Sequence, residues 1–301
     1  MKGESKAYLL GIAAVLIWST VASVFKVTLR HTDPLGMLLM ASAVSTVVLF
    51  AAVFFTGRTD ELRKLSGGSL IRNSLLGLLN PFFYYVVLFM AYSRLPAQEA
   101  QPLNYTWPII LSILSVAVLG QKIPARSFLA VIISFAGVVL ISVRPLLIQG
   151  ASLNIAGIVL ALGSGVIWSV YWIINIKGEG DTTVSLLLNF SFGTLFIILA
   201  SILFGADLTL EPVALLGSAY IGIFEMGITF IIWLTALKLT RNAARISNLI
   251  YLSPFLSLLF IHLIVGESIY VTTVIGLVLI VAGIGLQGRP SGKRDDSKIN
   301  R

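Results

Sequence analysis

Two stretches of the chain, NYTWPIILSILSVAVLGQK at 104–122 and LIYLSPFLSLLFIHLIVGES at 249–268, carry one pattern twice. Leucine, isoleucine and valine would coincide by chance in any two apolar helices, but prolines and glycines at one constant offset would not. The offset is 146 positions (254 − 108) for the pairs Tyr105 and Tyr251, Pro108 and Pro254, Gly120 and Gly266, and Gly137 and Gly283. The pattern therefore indicates that the chain contains two copies of one structural unit.

The correspondence continues outward from these stretches. Segment GLLNPFFYYVVLFMAYSRL matches GIFEMGITFIIWLTALKLT at an offset of 145 positions (225 − 80), which pairs Asn80 with Glu225. The tripeptide Ile-Trp-Ser occurs around Trp18 and again around Trp168. The repeat therefore reaches well beyond the two stretches that first reveal it.

The composition places the repeat in a membrane. Of the 301 residues, 57% are hydrophobic and 11% are charged, and the mean hydropathy is +0.97. A soluble domain carries roughly 25% charged residues, and a helix needs about 20 apolar residues to cross a bilayer. The candidate spans are approximately 7–28, 34–55, 70–93, 97–119, 125–143, 154–176, 184–204, 213–236, 243–264 and 270–287. We therefore predict an all-α membrane protein with ten transmembrane helices.

Lysine and arginine are unequally divided between the two sides of this arrangement. With ten spans both termini lie on one side, which receives 17 of the 21 lysines and arginines. Lys26, Arg30, Arg94 and Arg144 fall on the other side. Because short cytoplasmic connections are enriched in lysine and arginine, we predict a multi-pass protein of the plasma membrane with both termini in the cytoplasm.

Each copy of the repeat contains five spans. Because five is odd, the second copy must cross the membrane in the opposite sense to the first. We place the first copy at 1–148, the second at 149–288 and a disordered cytoplasmic tail at 289–301. Inverted repeats are the architecture of secondary transporters, whose pseudosymmetric halves exchange conformation around a central site. The sequence thus predicts transport by alternating access.

Several kinds of chemistry find no support in the residues. There is no cysteine, and the two histidines, His31 and His262, are too few for a metal cluster. We find no phosphate-binding glycine loop and no basic-aromatic pattern for nucleic acid. Intramembrane hydrolysis needs paired carboxylates, a serine-histidine pair or a metal cluster. We therefore predict no cofactor, no metal, no nucleic-acid partner and no enzymatic activity.

The candidate substrate-binding residues are polar or aromatic side chains near the middle of their spans, where inverted-repeat carriers bind substrate. They are Trp18, Asn80, Tyr84, Asn104, Trp107, Trp168, Glu225, Asn248 and Tyr251. Tryptophan normally prefers the headgroup region, so central tryptophans suggest a wet cavity, although packing between helices would also hold them. Trp172 and Trp233 lie nearer the ends of their spans and are interpreted as headgroup residues.

Glu225 is the only carboxylate deep within a span. A charge there costs at least about 2–3 kcal/mol on insertion scales, so the side chain should face the interior. It could anchor an amine, couple transport to protons, or form an interhelical hydrogen bond as a neutral acid, and the sequence leaves these three roles open.

Four further residues are candidates for gating. Pro108 and Pro254 each remove a backbone hydrogen bond in the middle of a span and so bend or loosen the helix. Either a static kink or a moving one fits this pattern. Glu99 and Arg245 occupy equivalent positions (245 − 99 = 146) at opposite faces, where they would flank the entrances of a cavity.

The second half resembles the EamA domain of the drug/metabolite transporter superfamily, through Pro254, the Gly266-Glu267 corner and Gly276 and Gly283 in the last span. The first half repeats the pattern with Gln121 in place of the corner glutamate. A narrower likeness to YddG-type aromatic amino acid exporters rests on Ile-Trp-Ser-Thr at 17–20, Glu99 before Asn104-Tyr105-x-Trp107-Pro108, Gly120-Gln121-Lys122, and Ile167-Trp168 with Tyr171. This resemblance implies ten helices around a central cavity, adds Tyr171 to the candidate substrate-binding residues, and implies export of amino acids or related metabolites.

Two functions are compatible with these patterns. The leading hypothesis is export of amino acids, aromatic or bulky apolar ones in particular, or of related small metabolites. The alternative is a proton-coupled exporter of organic cations or drugs, in which Glu225 binds the cation and the proton in turn. The expected partners are a small-molecule substrate, the lipid bilayer and, for the alternative, protons, with the chain a monomer or a weakly associated homodimer.

Overall fold

The computed structural model describes residues 2–107, 109–111, 113–114, 125–143, 152–176, 180–239 and 248–287. These residues form helices joined by short connections, with no strand among them. The α-helices are α1 (Lys2–Thr28), α2 (Pro34–Phe55), α3 (Thr59–Arg63), α4 (Gly67–Gly77), α5 (Tyr84–Arg94), α6 (Ala97–Asn104), α7 (Ala125–Ser142), α8 (Ile155–Ile176), α9 (Thr182–Phe204), α10 (Pro212–Tyr220), α11 (Thr229–Leu239), α12 (Ser253–Phe260) and α13 (Val271–Gln287).

Within this part of the chain, six helical stretches are long and apolar enough to cross a membrane: Gly3–Thr28, Pro34–Phe55, Gly67–Arg94, Ile155–Ile174, Thr182–Phe204 and Pro212–Trp233. Three further helices are apolar but shorter than these six, at Leu129–Ser142, Ser253–Val265 and Val271–Leu286. The fourth predicted span, 97–119, is only partly described: it begins as α6, is interrupted by a turn at Tyr105 and Thr106, and is helical again at the described residues 107, 109–111 and 113–114. The chain is a multi-pass membrane protein.

Two aspartates begin corresponding helices in the same way. Asp33 precedes α2, and its carboxylate accepts hydrogen bonds from the backbone N–H groups of Leu35 and Gly36. Asp181 precedes α9 and caps Thr183 and Val184 in the same manner. A side-chain acceptor at this position satisfies N–H groups that have no partner within the helix. The second and seventh predicted spans thus start from one local design.

The third and eighth predicted spans both depart from α-helical geometry near their centres. Leu78–Phe83 and Ile221–Ile228 are π-helical, and they join α4 to α5 and α10 to α11. Asn80 lies within the first of these segments with extended dihedral angles, φ −147° and ψ 119°. Short π segments interrupt helices at functional sites more often than elsewhere. Both interruptions carry the polar residue that the repeat places there, Asn80 in one and Glu225 in the other.

Glycines allow the helices of this bundle to pack closely. A Cβ atom on Gly77 would overlap the carbonyl oxygen of Asn189 in α9, and one on Gly222 would overlap the carbonyl oxygen of Ala41 in α2. The two contacts are related by the sequence repeat, since the glycines are 145 positions apart (222 − 77) and their partners 148 (189 − 41). Gly137 of α7 and Gly276 of α13 approach each other in the same way.

Helices at the start of each half pack on the later helices of the other half. α1 packs on α11 and α12, whereas α8 packs on α5 and α6. α2 packs on the π segment 221–228, whereas α9 packs on α4 and the π segment 78–83. α7 and α13 pack on each other. These contacts of α1 and α2 therefore have counterparts in those of α8 and α9.

The connections contact one another in two groups. Arg58, between α2 and α3, hydrogen-bonds Asp181 before α9. At the opposite ends of these helices, His31 contacts Glu211 and Thr32 donates to the carbonyl oxygen of Asp207. The first group defines side A, which includes connections 56–66 and 180–181. The second group defines side B, which includes connections 29–33, 95–96, 152–154, 205–211 and 266–270.

Candidate functional site

A central cavity of about 280 Å³ lies between α1, α5, α6, α8 and α11. Small-molecule pockets measure roughly 300–1,000 Å³ and are mostly apolar with a few placed polar groups, so this cavity suits one small metabolite. Its aromatic lining consists of Trp18, Phe25, Tyr84, Tyr92, Tyr105, Trp107, Trp168, Trp172, Phe230 and Trp233. Its polar lining consists of Gln101, Asn104 and Glu225.

The aromatic rings form a continuous wall centred on Trp168. The ring centroids of Trp168 and Tyr84 are 4.6 Å apart, and Trp168 lies 5.9 Å from both Trp172 and Phe230. Trp18 continues the wall from the other half of the molecule, 6.2 Å from Phe230. These separations fall in the range at which aromatic pairs attract one another. The wall therefore offers flat apolar surfaces to a bound ring or alkyl group.

Glu225 presents one satisfied and one free oxygen. Its Oε1 atom accepts a hydrogen bond from the Tyr85 hydroxyl at 3.1 Å, and the indole of Trp18 also faces this carboxyl group. The Oε2 atom is buried and accepts no hydrogen bond from the residues that the structure describes. A buried polar atom without a partner is costly, so a proton on this oxygen, or a ligand group that reached it, would relieve that cost.

Two further polar groups on the wall lack partners within the described residues. Gln101 donates through Nε2 to the Ser257 hydroxyl at 2.7 Å, which leaves its Oε1 atom without a donor. The indole N–H of Trp172 has no acceptor. Asn104, by contrast, is held in place because Nδ2 donates to the Ser164 hydroxyl at 2.9 Å. Three residues of the lining thus carry a carboxylate oxygen, an amide oxygen and an indole N–H with unused hydrogen-bonding capacity, each almost fully covered by neighbouring atoms.

The cavity is closed towards side B. Phe25 packs edge-on against Phe89 and Tyr92, with centroids 4.8 and 5.3 Å away. The Lys26 ammonium donates to the carbonyl oxygens of Tyr92 and Leu95, at 2.8 and 2.7 Å, which joins the end of α1 to the end of α5. At the opposite end of the cavity, Leu111, Trp172 and Ile250 are partly exposed. Among the described residues, the lining is therefore more accessible from side A.

A polar cluster lies behind the aromatic wall. Tyr171 stacks on Trp168 with centroids 5.7 Å apart. The side-chain amide of Asn189 is oriented so that both its oxygen and its nitrogen have hydrogen-bond partners. The oxygen accepts a hydrogen bond from the Tyr171 hydroxyl at 3.2 Å, and the nitrogen donates to Asn73 Oδ1 at 2.9 Å. Ser185 also donates to that Asn73 oxygen, at 2.7 Å. This cluster fixes the orientation of Tyr171 and, through it, of Trp168.

The structure brings six of the candidate substrate-binding residues to the cavity wall: Trp18, Tyr84, Asn104, Trp107, Trp168 and Glu225. Tyr171 lies behind the wall. Asn80 is fully buried outside the lining, and both polar atoms of its side chain lack a partner in the described part of the chain. Its extended dihedral angles break the helical phase, so its depth in the span does not predict the direction of its side chain.

The remaining candidates are placed as follows. Glu99 is 1% exposed in the first turn of α6, and Pro254 is buried in the first turn of α12, directly after the 3₁₀-helical segment Asn248–Leu252. Pro108 and Arg245 lie outside the described residues, as do the side chains of Asn248 and Tyr251. Their predicted roles remain predictions.

The interpretation of Trp172 and Trp233 as headgroup residues is wrong, because both line the cavity. Trp172 follows Trp168 by four positions, which puts both on one face of α8. Gln101 and Phe230 also line the cavity, although neither is among the candidates predicted from the sequence. Gln101 precedes Asn104 by one helical turn, so helical spacing from a candidate already identified would have found it.

The described residues contain no group of three or more histidine, cysteine, aspartate or glutamate side chains that could hold a metal ion.

Comparisons with known proteins point to one family. The model of the EamA-like transporter family matches residues 5–143 and again 155–288. An uncharacterized transporter of Archaeoglobus fulgidus is 27% identical over 289 residues, which covers 94% of this chain and 97% of that one. An aromatic amino acid exporter YddG of Ancylobacter novellus is 26% identical over 265 residues, covering 86% and 88%. A solved crystal structure superposes with a TM-score of 0.67 at 25% identity, covering 94% of this chain and 96% of its own.

Proposed function

Because the chain belongs to the EamA-like transporter family, we propose that it exports amino acids, aromatic or bulky apolar ones in particular, or related small metabolites. The central cavity carries this proposal. Its aromatic wall suits a ring or a branched alkyl side chain, and the unpartnered oxygens of Gln101 and Glu225 would accept hydrogen bonds from an amino group that moved their covering neighbours aside. One YddG protein named as an aromatic amino acid exporter is similar to 86% of this chain.

The second part of the proposal is that the chain consists of two inverted five-helix repeats and transports its substrate by alternating access between them. The exchange of helix contacts between halves, the paired caps Asp33 and Asp181, and the paired contacts of Gly77 and Gly222 all support it. The family model matches once before residue 144 and once after residue 154. These ranges agree with the proposed units 1–148 and 149–288.

The proposed direction of transport rests on how lysines and arginines divide between the two sides of the membrane. Lysines and arginines concentrate on side A, which we assign to the cytoplasm, with both termini there and the chain in the plasma membrane. In the part of the chain that the structure describes, the cavity lining is more accessible from that side. This conformation would therefore load substrate from the cytoplasm, and closure of side A with opening of side B would release it outside.

Transport by the purified chain tests this proposal. Proteoliposomes would be loaded in turn with labelled phenylalanine, tryptophan, leucine and alanine, and efflux would be compared with that from protein-free vesicles. We expect faster efflux of the aromatic and branched amino acids than of alanine. Efflux of an unrelated solute with none of any amino acid would overturn the proposal.

The Oε2 atom of Glu225 favours a second candidate function, proton-coupled export of organic cations. A lone carboxylate oxygen beside Trp18, Phe230 and Trp233 is suited to a cation, because indole and phenyl faces attract positive charge. A cation and a proton would then compete for one site. Glu225→Gln should abolish the dependence of cation efflux on an imposed pH gradient, and a dependence that persists would remove this candidate.

A further inference from the structure

A second cavity, of about 830 Å³, lies away from the central one, between α2, α5 and α9. Phe82, Val86 and Phe204 are among the apolar residues that line it, and Asp33 and Arg94 stand at one end. Phe204 is 75% exposed. Since the stretches that include these helices are apolar enough to span a membrane, this cavity is a lateral groove that faces lipid.

The groove has the length of a lipid acyl chain. Arg94 ends α5 on side B, and Phe82 lies twelve positions before it along the same span. At 1.5 Å per residue this separation is about 18 Å, whereas half of the hydrocarbon core is about 15 Å. The groove therefore runs from the headgroup level of one leaflet to about the middle of the bilayer.

The two charged residues at the headgroup end differ in what they already bind. The carboxylate of Asp33 accepts hydrogen bonds from the N–H groups of Leu35, Gly36 and Asp207. The guanidinium of Arg94 donates to the carbonyl oxygen of Met90 at 3.1 Å, and no carboxylate of the described residues lies within ion-pairing distance of it. The groove thus presents an arginine without an ion-pair partner among the described residues, near an aspartate whose carboxylate is already occupied by backbone N–H groups.

We propose that this groove binds one glycerophospholipid of the side B leaflet. One acyl chain lies along Phe82 and Val86, where it replaces contacts with bulk lipid by contacts with a fixed concave surface. The phosphate pairs with Arg94, because a guanidinium matches the oxygens of a phosphate group in a two-pronged hydrogen-bonding geometry. The bound lipid would then fill the space between α2, α5 and α9, independently of the transported solute.

Native mass spectrometry of the purified chain, titrated with 1-palmitoyl-2-oleoyl-phosphatidylethanolamine, tests the proposal. We expect one lipid to remain bound after most detergent is removed. Arg94→Gln should weaken this binding by roughly tenfold or more, since a hydrogen-bonded charge is lost. Val86→Trp, which fills the groove, should weaken it too, and inorganic phosphate should not displace the lipid.

Arg30→Gln is the matched control, because Arg30 is also an arginine of side B but lies outside the groove. It should bind lipid as the wild type does. Unchanged lipid binding by Arg94→Gln and Val86→Trp would overturn the proposal. Equal loss in Arg30→Gln would also overturn it, since it would indicate general charge attraction, and displacement by inorganic phosphate would indicate an anion site instead of a lipid site.

Discussion

The carboxylate of Glu267 caps the first turn of α6: its Oε1 atom accepts a hydrogen bond from the N–H of Ala97 at 2.8 Å, and its Oε2 atom accepts one from the N–H of Gln98 at 3.2 Å. Glu267 belongs to the connection before α13, and Ala97 follows the connection after α5. A negative charge is favourable at a helix amino terminus. This pair therefore joins the two halves of the chain across side B, where the cavity is closed.

We predict that Glu267→Gln opens side B. An amide keeps one acceptor oxygen but loses the second acceptor and the charge, so the closed arrangement should lose about 1–3 kcal/mol, or roughly 5- to 150-fold in its population relative to an open one. The natural chain lacks cysteine, so one introduced by Leu88→Cys on the buried part of the lining reports access. Its labelling by an impermeant maleimide from side B should become several-fold faster.

Glu211→Gln is the control for this prediction. Glu211 is also on side B, and its contact with His31 is exposed. Its replacement should leave the labelling rate of the introduced cysteine unchanged. Equal labelling rates with and without Glu267→Gln would show that the cap does not keep side B closed.

The close contacts of Gly77 and Gly222 predict a loss of stability on substitution. In Gly77→Ala the new methyl group would overlap the backbone of Asn189 and Gly193, and in Gly222→Ala that of Ala41. Overpacking of this kind costs about 1–3 kcal/mol, so both variants should unfold at lower temperature in detergent. Gly163→Ala is the control because nothing lies within 4 Å of its added Cβ, and its unfolding temperature should stay unchanged or rise. A wild-type unfolding temperature for Gly77→Ala would contradict the packing.

The ion pair of Arg58 and Asp181 predicts a dependence of stability on pH. Burial tends to raise the pKa of Asp181, but the hydrogen bond from the N–H of Val184 and the nearby Arg58 outweigh it and hold this pKa below the ordinary value of 3.8. A lowered pKa stabilises the fold above about pH 4, and this contribution is lost as the pH falls through the pKa of the folded state.

Asp181→Asn keeps a capping side chain but loses the charge. At pH 7 this substitution should lower the free energy of unfolding by up to about 1 kcal/mol. Below pH 4 the difference in the free energy of unfolding between the variant and the wild type should shrink. Arg58→Gln should have a similar effect, with little added in the double variant. A difference that stays constant from pH 7 to pH 3 would exclude the ion pair as its cause.

Residue type and depth predict much of the cavity, whereas the direction of each side chain requires the structure. Trp18, Trp168 and Glu225 are unusual at the middle of a span, and their cost in lipid predicts that they face inward. Asn80 occupies the position equivalent to Glu225 but lies outside the lining, because extended dihedral angles interrupt the helix there. Such an interruption depends on packing between helices and leaves no periodic trace in the sequence.

The helix caps also differ in whether the local sequence predicts them. Asp33 before Pro34 is a recognisable start of a helix, and the structure uses it as one. The Gly266-Glu267 corner is recognisable only as part of a family resemblance. That Glu267 caps α6, which precedes it by 170 positions (267 − 97), depends on how distant segments meet. Local chemistry can be predicted from sequence, but contacts between the halves cannot.

Trp168 is the residue whose loss should change the substrate preference most under the proposed function. It contacts Tyr84, Trp172 and Phe230, and each aromatic pair contributes about 0.5–1.5 kcal/mol beyond buried area. A bound aromatic ring would lose one such contact in Trp168→Ala. The KM for efflux of tryptophan should therefore rise by roughly tenfold, while that for leucine should change less because an alkyl group makes no ring-to-ring contact. Phe135→Ala is the matched control, since Phe135 is 64% exposed on α7. If Trp168→Ala raised both KM values equally, or if Phe135→Ala matched its effect, the aromatic wall would not be the surface that selects the substrate.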